Sequence, residues 1–421
     1  MHRMLAAALA ATVCASSTQA QTGPTAAVQD GLTLDQALEL AEANAPGVGA
    51  ADAGVRAAEA QRRVAGLRPN PSVNVEVENV VGTGEYSGIR GAETTVGMSL
   101  PIEFGGKRSA RIAVADTQTA RARLAVVAAR ADLRLRVTQL YNEAVASERR
   151  LLIARDQLGI ATEGLRAANV RVRAGRASPL EEQRADVARI NATTGLSQAE
   201  RATVLARANL ARLIGRDPGA FDLAWLDRVG AGAGPRLAAN AEGTLALAAA
   251  EAEVATANAQ VRLARSQRVP DLTLSAGARR LEATNDVAAV FGVSLPIPLF
   301  NNGRASIDAA RAQSDQAVAL RRVALLDAQQ AIATAETDLA NAEANARAAN
   351  GPALAAAQEA ARVARIGYRE GKFGQLDLLE AERTLAQTRS AAIDALAAYH
   401  DAKARLERLT ARAPANTEAQ P

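Results

Sequence analysis

Residues 97–108 read GMSLPIEFGGKR and residues 292–304 read GVSLPIPLFNNGR. A second pair matches at nearly the same offset: residues 172–186 read VRAGRASPLEEQRAD and residues 368–382 read YREGKFGQLDLLEAE. Pro71 has its counterpart in Pro270. The chain is therefore built twice. The duplicated unit is far longer than a solenoid repeat, so it reads as one architecture with an internal duplication. A first repeat is expected over 21–215, a linker over 216–238, a second repeat over 239–410 and a flexible tail over 411–421.

Each copy holds one strand pair. Arg68-Pro69-Asn70-Pro71 stops the first helical stretch, because proline disfavours helix in the residue before it. Beyond it Val73, Val75 and Val77 alternate with Asn74, Glu76 and Glu78, the period of a half-buried strand. Strands are expected at about 72–81 and 92–102, and again at about 271–281 and 288–297. About ten residues is the length that crosses a bilayer in a barrel, and an apolar face backed by a polar one suits lipid outside and water inside. Four strands cannot close a barrel, and open edges are not tolerated in lipid. Three chains would close one barrel of twelve strands. The residues leave a second reading open, a small soluble sheet capping a helical bundle. The strands are only modestly apolar, and Tyr86 and Phe291 make a poor aromatic girdle. On the barrel reading Glu76, Glu78 and Glu93 face the lumen near the outer mouth and favour cations.

The rest of the chain is helical. Leu151, Leu158, Leu165 and Val172 fall seven apart, as do Val126, Leu133 and Leu140, and Val318, Leu325, Ile332 and Leu339. Sustained sevens mean coiled-coil packing. Long helices are expected at 107–173 and 303–370, each about 100 Å at 1.5 Å per residue. Gly351-Pro352 should kink the second. Shorter helices are expected from Thr33 to Leu67, opened by a Thr33–Gln36 capping box, and over 179–214, 240–268 and 376–411. Stacked in pairs, they match the long ones, with residues 216–238 as a belt at mid-height. Tip turns fall at 174–179 and 371–375. Gly175 and Gly371 fit the left-handed position that ends a helix. Ser178 then caps, Pro179 takes the first position and Glu181 completes an S-x-x-E box, with Asp377 in the same place in copy two.

The first twenty residues read as a cleaved secretory signal: His2 and Arg3, an apolar stretch from Met4 to Ala15, and Thr18-Gln19-Ala20 before the cut. Cys14 lacks the Leu usually found three residues ahead of a lipidated cysteine. Cleavage leaves no cysteine, hence no disulfide. The formal net charge is +4, from 49 Lys+Arg against 45 Asp+Glu, with signs alternating along the helices. That is a solvated face rather than a nucleic-acid footprint. His400 is then the one histidine left. Zinc sites and Cys or His nucleophiles need residues that are missing. Gly230–Gly234 lacks the strand and lysine of a phosphate loop. No catalytic residue, cofactor or metal site is expected, and an enzyme is rejected.

The duplicated hairpin and long-helix plan, the PIEFGGKR and SLPIPLFNNGR entries and the two G-x₄-L-[DE] tip turns resemble the TolC-like outer-membrane factors. RPNPSVNVEVEN looks most like the CzcC-like heavy-metal branch. The resemblance covers nearly all of residues 32–410. It implies a homotrimer with an outer-membrane barrel in lipid and a long periplasmic helical tunnel. It also implies two partners, a periplasmic adaptor (membrane fusion protein) and an inner-membrane pump of the resistance–nodulation–division type. The implied function is passive export, of cobalt, zinc or cadmium on the branch assignment. A duct for drugs or secreted polypeptides, and a soluble periplasmic scaffold, stay open. It further implies that the tips form a closed iris and docking surface, where Gly175, Glu181, Gly371 and Asp377 shape the turns and Tyr368, Arg369 and Arg173 hold them shut.

Overall fold

The computed structural model describes residues 31–230 and 240–414. The leader with Cys14, most of the glycine-rich linker and the end of the tail lie outside the described residues. The architecture is mainly helical, with one small antiparallel sheet.

Thr33 opens α1 (Leu34–Ala43) with the reciprocal capping box, Gln36 N to Thr33 Oγ1 at 3.3 Å and Thr33 N to Gln36 Oε1 at 3.1 Å. The helix does not run on to Leu67 as expected. Pro46 holds Ala45 extended (ψ 102°) and takes the first position of a new helix, α2 (Pro46–Ala65), because its ring excludes helical backbone in the residue before it.

Four strands follow the order β1 (Ser72–Glu78), β2 (Glu93–Ile102), β3 (Leu272–Leu281) and β4 (Asp286–Ser294), every neighbouring pair antiparallel. β1 ends earlier than the expected Val81 because Asn79 turns into the left-handed region (φ 58°). β4 starts two residues earlier than expected and ends at Ser294, not 297. Pro296 and Pro298 have no N–H to give a ladder. The register sorts the side chains. Val73, Met98, Ala276 and Phe291 lie in one row of one face, and Val75, Val96, Ala278 and Ala289 in the next. The opposite face carries Glu76, Thr95 and Arg279 in one row and Glu78, Glu93 and Asp286 in its neighbour. Both edges, β1 and β4, are open in the chain.

From the sheet the chain enters α3 (Lys107–Arg173), 67 residues without a break. Side chains of its first turns cap the preceding helix. Arg108 Nε donates to Gly66 O (2.6 Å), and Arg111 donates to Ala65 O (3.3 Å) and Leu67 O (3.1 Å). Cations at a helix C-terminus satisfy its orphan carbonyls and its dipole. Arg111 also forks onto Glu103, just past β2, and that bond holds the Glu103 carboxyl below its ordinary pKa. Sheet and helices are thereby clamped at their junction.

α3 packs beside α2 in its first half and beside α4 (Pro179–Ile214) in its second. In the second half of the chain, α5 (Leu245–Ser266) and then α8 (Gln375–Leu409) accompany α6 (Arg304–Ala348) and α7 (Leu354–Arg369). A π-helical turn, Ala349–Ala353, separates α6 from α7, and Gly351 within it leaves helical geometry (φ −103°, ψ −106°) ahead of Pro352. The expected kink lies there, where proline removes a donor and crowds the preceding turn.

The largest core gathers α1, α3, α4, α6, α8 and the segment after α4. The buried Tyr141 of α3 donates its hydroxyl to Leu32 O (2.7 Å). Its ring meets Phe221 (5.9 Å) and Trp225 (5.1 Å) edge-on, and Trp225 stacks on His400 of α8 (4.0 Å). Leu32 pairs with Phe221 as a parallel bridge, and Thr244 pairs with Arg412, so both ends of the described chain are tied to its middle. Burial pushes the Tyr141 phenol well above its ordinary pKa.

His400 yields a pH test. Its Nε2 lies 3.0 Å from Leu226 O, and burial lowers its pKa below the ordinary 6.5. The unfolded chain therefore takes up the proton first, and stability is lost as pH falls below about 6.5. The thermal midpoint should drop more steeply between about pH 7 and pH 5 in wild type than in His400→Gln. Equal slopes would show that the buried imidazole does not titrate in this way.

Candidate functional site

The two turns joining the helical hairpins share one backbone motif. After α3, Gly175 is left-handed (φ 68°), its N–H donates to Val172 O (3.0 Å) and Arg176 N–H donates to Arg171 O (2.8 Å). After α7, Gly371 is left-handed (φ 72°), its N–H donates to Tyr368 O (3.1 Å) and Lys372 N–H donates to Gly367 O (2.8 Å). These are paired Schellman closures, which satisfy the last carbonyls of a helix and need a residue free of Cβ strain.

The helix starts differ. Asp377 Oδ2 accepts from Gly374 N–H (2.9 Å) and caps α8. Ser178 Oγ accepts from Leu180 N–H (3.3 Å) and caps α4 alone. The expected capping box is not made, because Glu181 turns away to another partner. Its Oε1 accepts from the Tyr368 hydroxyl (3.0 Å) and lies 3.5 Å from Arg171 Nε. The Arg171 guanidinium covers the Tyr368 ring at 4.9 Å, and Gln375 Nε2 donates to Glu181 O (3.1 Å). Through its carboxylate Glu181 of α4 thus reaches α3 and α7, and through its main-chain carbonyl it reaches α8. Burial first, then the bond to Glu181, raises the Tyr368 pKa and keeps it a donor.

Of the expected tip residues, Glu181 and Tyr368 meet. Arg369 and Arg173 are exposed and stay outside this cluster. Arg171 and Gln375, which were not anticipated, contact Tyr368 and Glu181 in their place. The signal that could have found Arg171 is its contrast with Gly367, the matching position of copy two. A Cβ at Gly367 would collide with the Phe373 ring, which folds back over it. Copy one has Ala177 in place of that ring, which leaves the space that Arg171 uses. One turn before Tyr368, Arg365 forks onto the buried Glu382 and ties α7 to α8 (Nη2 to Oε2, 2.8 Å). That bond raises the Arg365 pKa.

The sheet's polar face is the second cluster. Glu76, Glu78 and Glu93 share it. Arg279 Nη1 donates to Glu93 Oε2 (2.7 Å) and Nε donates to Thr95 Oγ1 (3.0 Å). Its Nη2 lies 2.9 Å from Glu78 Oε2 as an ion contact. Arg279 is the third residue missed, because its pairing depends on the β2–β3 register. Among the described residues no three His, Cys, Asp or Glu side chains are grouped to hold a metal ion. No helix among the described residues is long and apolar enough to cross a membrane.

The profile of the family described as outer membrane efflux protein matches residues 37–216 and 240–412. The chain is 32% identical over 392 residues to the cobalt-zinc-cadmium resistance protein CzcC of Cupriavidus metallidurans, covering 90% of each. It is 34% identical to the nickel and cobalt resistance protein CnrC of the same organism, over 66% of this chain and 65% of that one. Its fold matches the outer membrane protein VceC of Vibrio cholerae with a TM-score of 0.72 and 22% identity, over 90% of this chain and 96% of that one.

The tip geometry is testable apart from any function. Gly371→Val places a β-branched residue at positive φ, a cost of about 1–2 kcal/mol. Amide exchange in the last turn of α7 and first turn of α8 should accelerate, with protection around Tyr141 unchanged. Unaltered tip exchange would mean that the left-handed turn is not needed there.

Proposed function

The chain belongs to the outer membrane efflux protein family, and we propose that it is the outer-membrane channel of a tripartite efflux system exporting heavy-metal cations. The observation that carries the channel reading is the sheet. It has one mostly apolar face, which ends in a row carrying Thr94 and Arg280, one polar face and two open edges. Unpaired edges are costly in lipid, and closure by two further copies removes them. The homotrimer then has twelve strands, with helices of α3's length forming a tunnel into the periplasm below the outer membrane. Residues 1–20 act as the export leader. The two sequence repeats, 21–215 and 239–410 about the linker 216–238, each supply one strand pair and one long helix to the wall.

On this reading Glu76, Glu78 and Glu93 face water at the outer mouth. The tips lie at the far end, where Gly175, Glu181, Tyr368, Arg369, Gly371 and Asp377 of three copies surround the axis. The bond between Tyr368 and Glu181, under the Arg171 guanidinium, holds the two hairpins of a chain together and acts as the resting lock. The exposed Arg369 is left for a neighbouring copy. The turns dock the periplasmic adaptor, which links the duct to an inner-membrane pump of the resistance–nodulation–division type. The cargo assignment rests on the curated relatives, CzcC and CnrC, whose names record cobalt, zinc, cadmium and nickel resistance. The chain conducts, and the pump works.

Three experiments test this. Deletion should lower growth on cobalt, zinc or cadmium and leave growth on a drug panel unchanged, and mass measurement in detergent should give three chains per particle. Drug sensitivity without metal sensitivity would reassign the cargo, and a stable native monomer would overturn the shared barrel. Tyr368→Phe with Arg171→Ser should raise single-channel conductance about tenfold or more if the lock is real. Wild-type conductance would make the cluster a hairpin clasp only.

A further inference from the structure

The polar face of the sheet sets two like charges against each other. Glu78 of β1 stands directly opposite Glu93 of β2, an arrangement that destabilises a strand pair. Arg279 of β3 reaches across both, with Nη1 on Glu93, Nη2 against Glu78 and Nε on Thr95. The whole guanidinium fork is engaged, and all three charged side chains are at most partly exposed, at 32%, 40% and 25% for Arg279, Glu78 and Glu93. Glu76 is different. It lies in the same row as Thr95 and Arg279, is exposed, and has no ion pair or hydrogen bond among the described residues. Asp286, on the same face of β4, is likewise exposed. Arg280 points to the other face and bonds Asn285 and Glu282.

We propose that Arg279 sets the charge selectivity of the outer mouth by binding Glu78 and Glu93 into one cluster, so that Glu76 and Asp286 are the free carboxylates a passing cation meets. The proposal rests on the barrel reading above. The cluster carries one net negative charge where its acids alone would carry two. Three copies around one lumen multiply that difference, and low-dielectric walls focus it. Arg279 thereby keeps the mouth attractive to cations without making it a trap. Conduction needs binding weak enough to release.

Wild type, Arg279→Gln, Arg279→Lys and the double variant Glu78→Gln with Glu93→Gln would be compared in planar bilayers under a potassium chloride gradient. Arg279→Gln should raise the cation-to-anion permeability ratio about twofold, and the double variant should lower it by at least as much. Arg279→Lys keeps the charge and loses the fork, so it should keep the wild-type ratio. A merely structural arginine would leave the ratio unmoved in Arg279→Gln, and that result overturns the proposal. If Arg279→Gln fails to assemble, the double variant decides, and an unchanged ratio there overturns it equally. Absence of conductance both from wild type and from the unlocked Tyr368→Phe, Arg171→Ser variant would overturn the barrel reading, and this proposal with it.

Discussion

The hydroxyl of Tyr141 donates a hydrogen bond to the carbonyl of Leu32, and much of the molecule is organised around that bond. It joins the start of the described chain to the middle of α3. Phe221, Trp225 and His400 pack about the same ring, which brings in the segment after α4 and the body of α8. Elsewhere the buried residues are mostly alanines, with isolated Leu, Ile and Val. Alanine buries little area per residue, so it lets helices approach closely and contributes little transfer energy of its own. Helices this long and this poor in large side chains need one region where aromatic burial fixes their axial register. The collar supplies it. The arms that run from it to sheet and tips are held by alanine contacts and ion pairs, many of them exposed and each worth little.

Much of this was legible in the residues. Hairpin, long helix and tip turn follow from a period of two, sustained sevens and a Gly-x-x-Ser-Pro start, because these are local patterns with local physics. Boundaries went wrong where one residue overrides a pattern. Pro46 cuts a helix whose apolar face continues through it. Asn79 turns back a strand whose alternation continues. Pro296 and Pro298 empty the ladder beyond Ser294. The ion pairs were not legible at all. The sequence pattern at Glu181 is that of a local cap, but a carboxylate in that place has two possible donors. The tertiary one, Tyr368, lies 187 residues away and won. Arg279 found Glu78 and Glu93 only because β3 inserts beside β2.

The two tips illustrate how a duplication can acquire a joint. Their backbones close alike, and their side chains have diverged in complementary ways. Copy one contributes a cation and a carboxylate, Arg171 and Glu181. Copy two contributes a phenol and an amide, Tyr368 and Gln375. The Phe373 ring fills over Gly367 the space that a second arginine would need. In this chain the carboxylate of the contact comes from copy one and the phenol from copy two, so the clasp as built uses the divergence of the copies.

The same logic runs at the other end of the molecule. β1 and β2 belong to one copy and leave two carboxylates face to face. β3 belongs to the other and supplies the arginine between them. At both ends an acidic element of copy one is completed by a donor from copy two. Both clusters are only partly buried, where water still lowers the cost of separating charge, unlike the dry collar. Contacts in that regime cost less to separate than those of the collar. The collar, with its buried phenol and imidazole, has no such latitude. The best-buried part of the chain is thus its waist, and its two ends carry the water-accessible charged clusters.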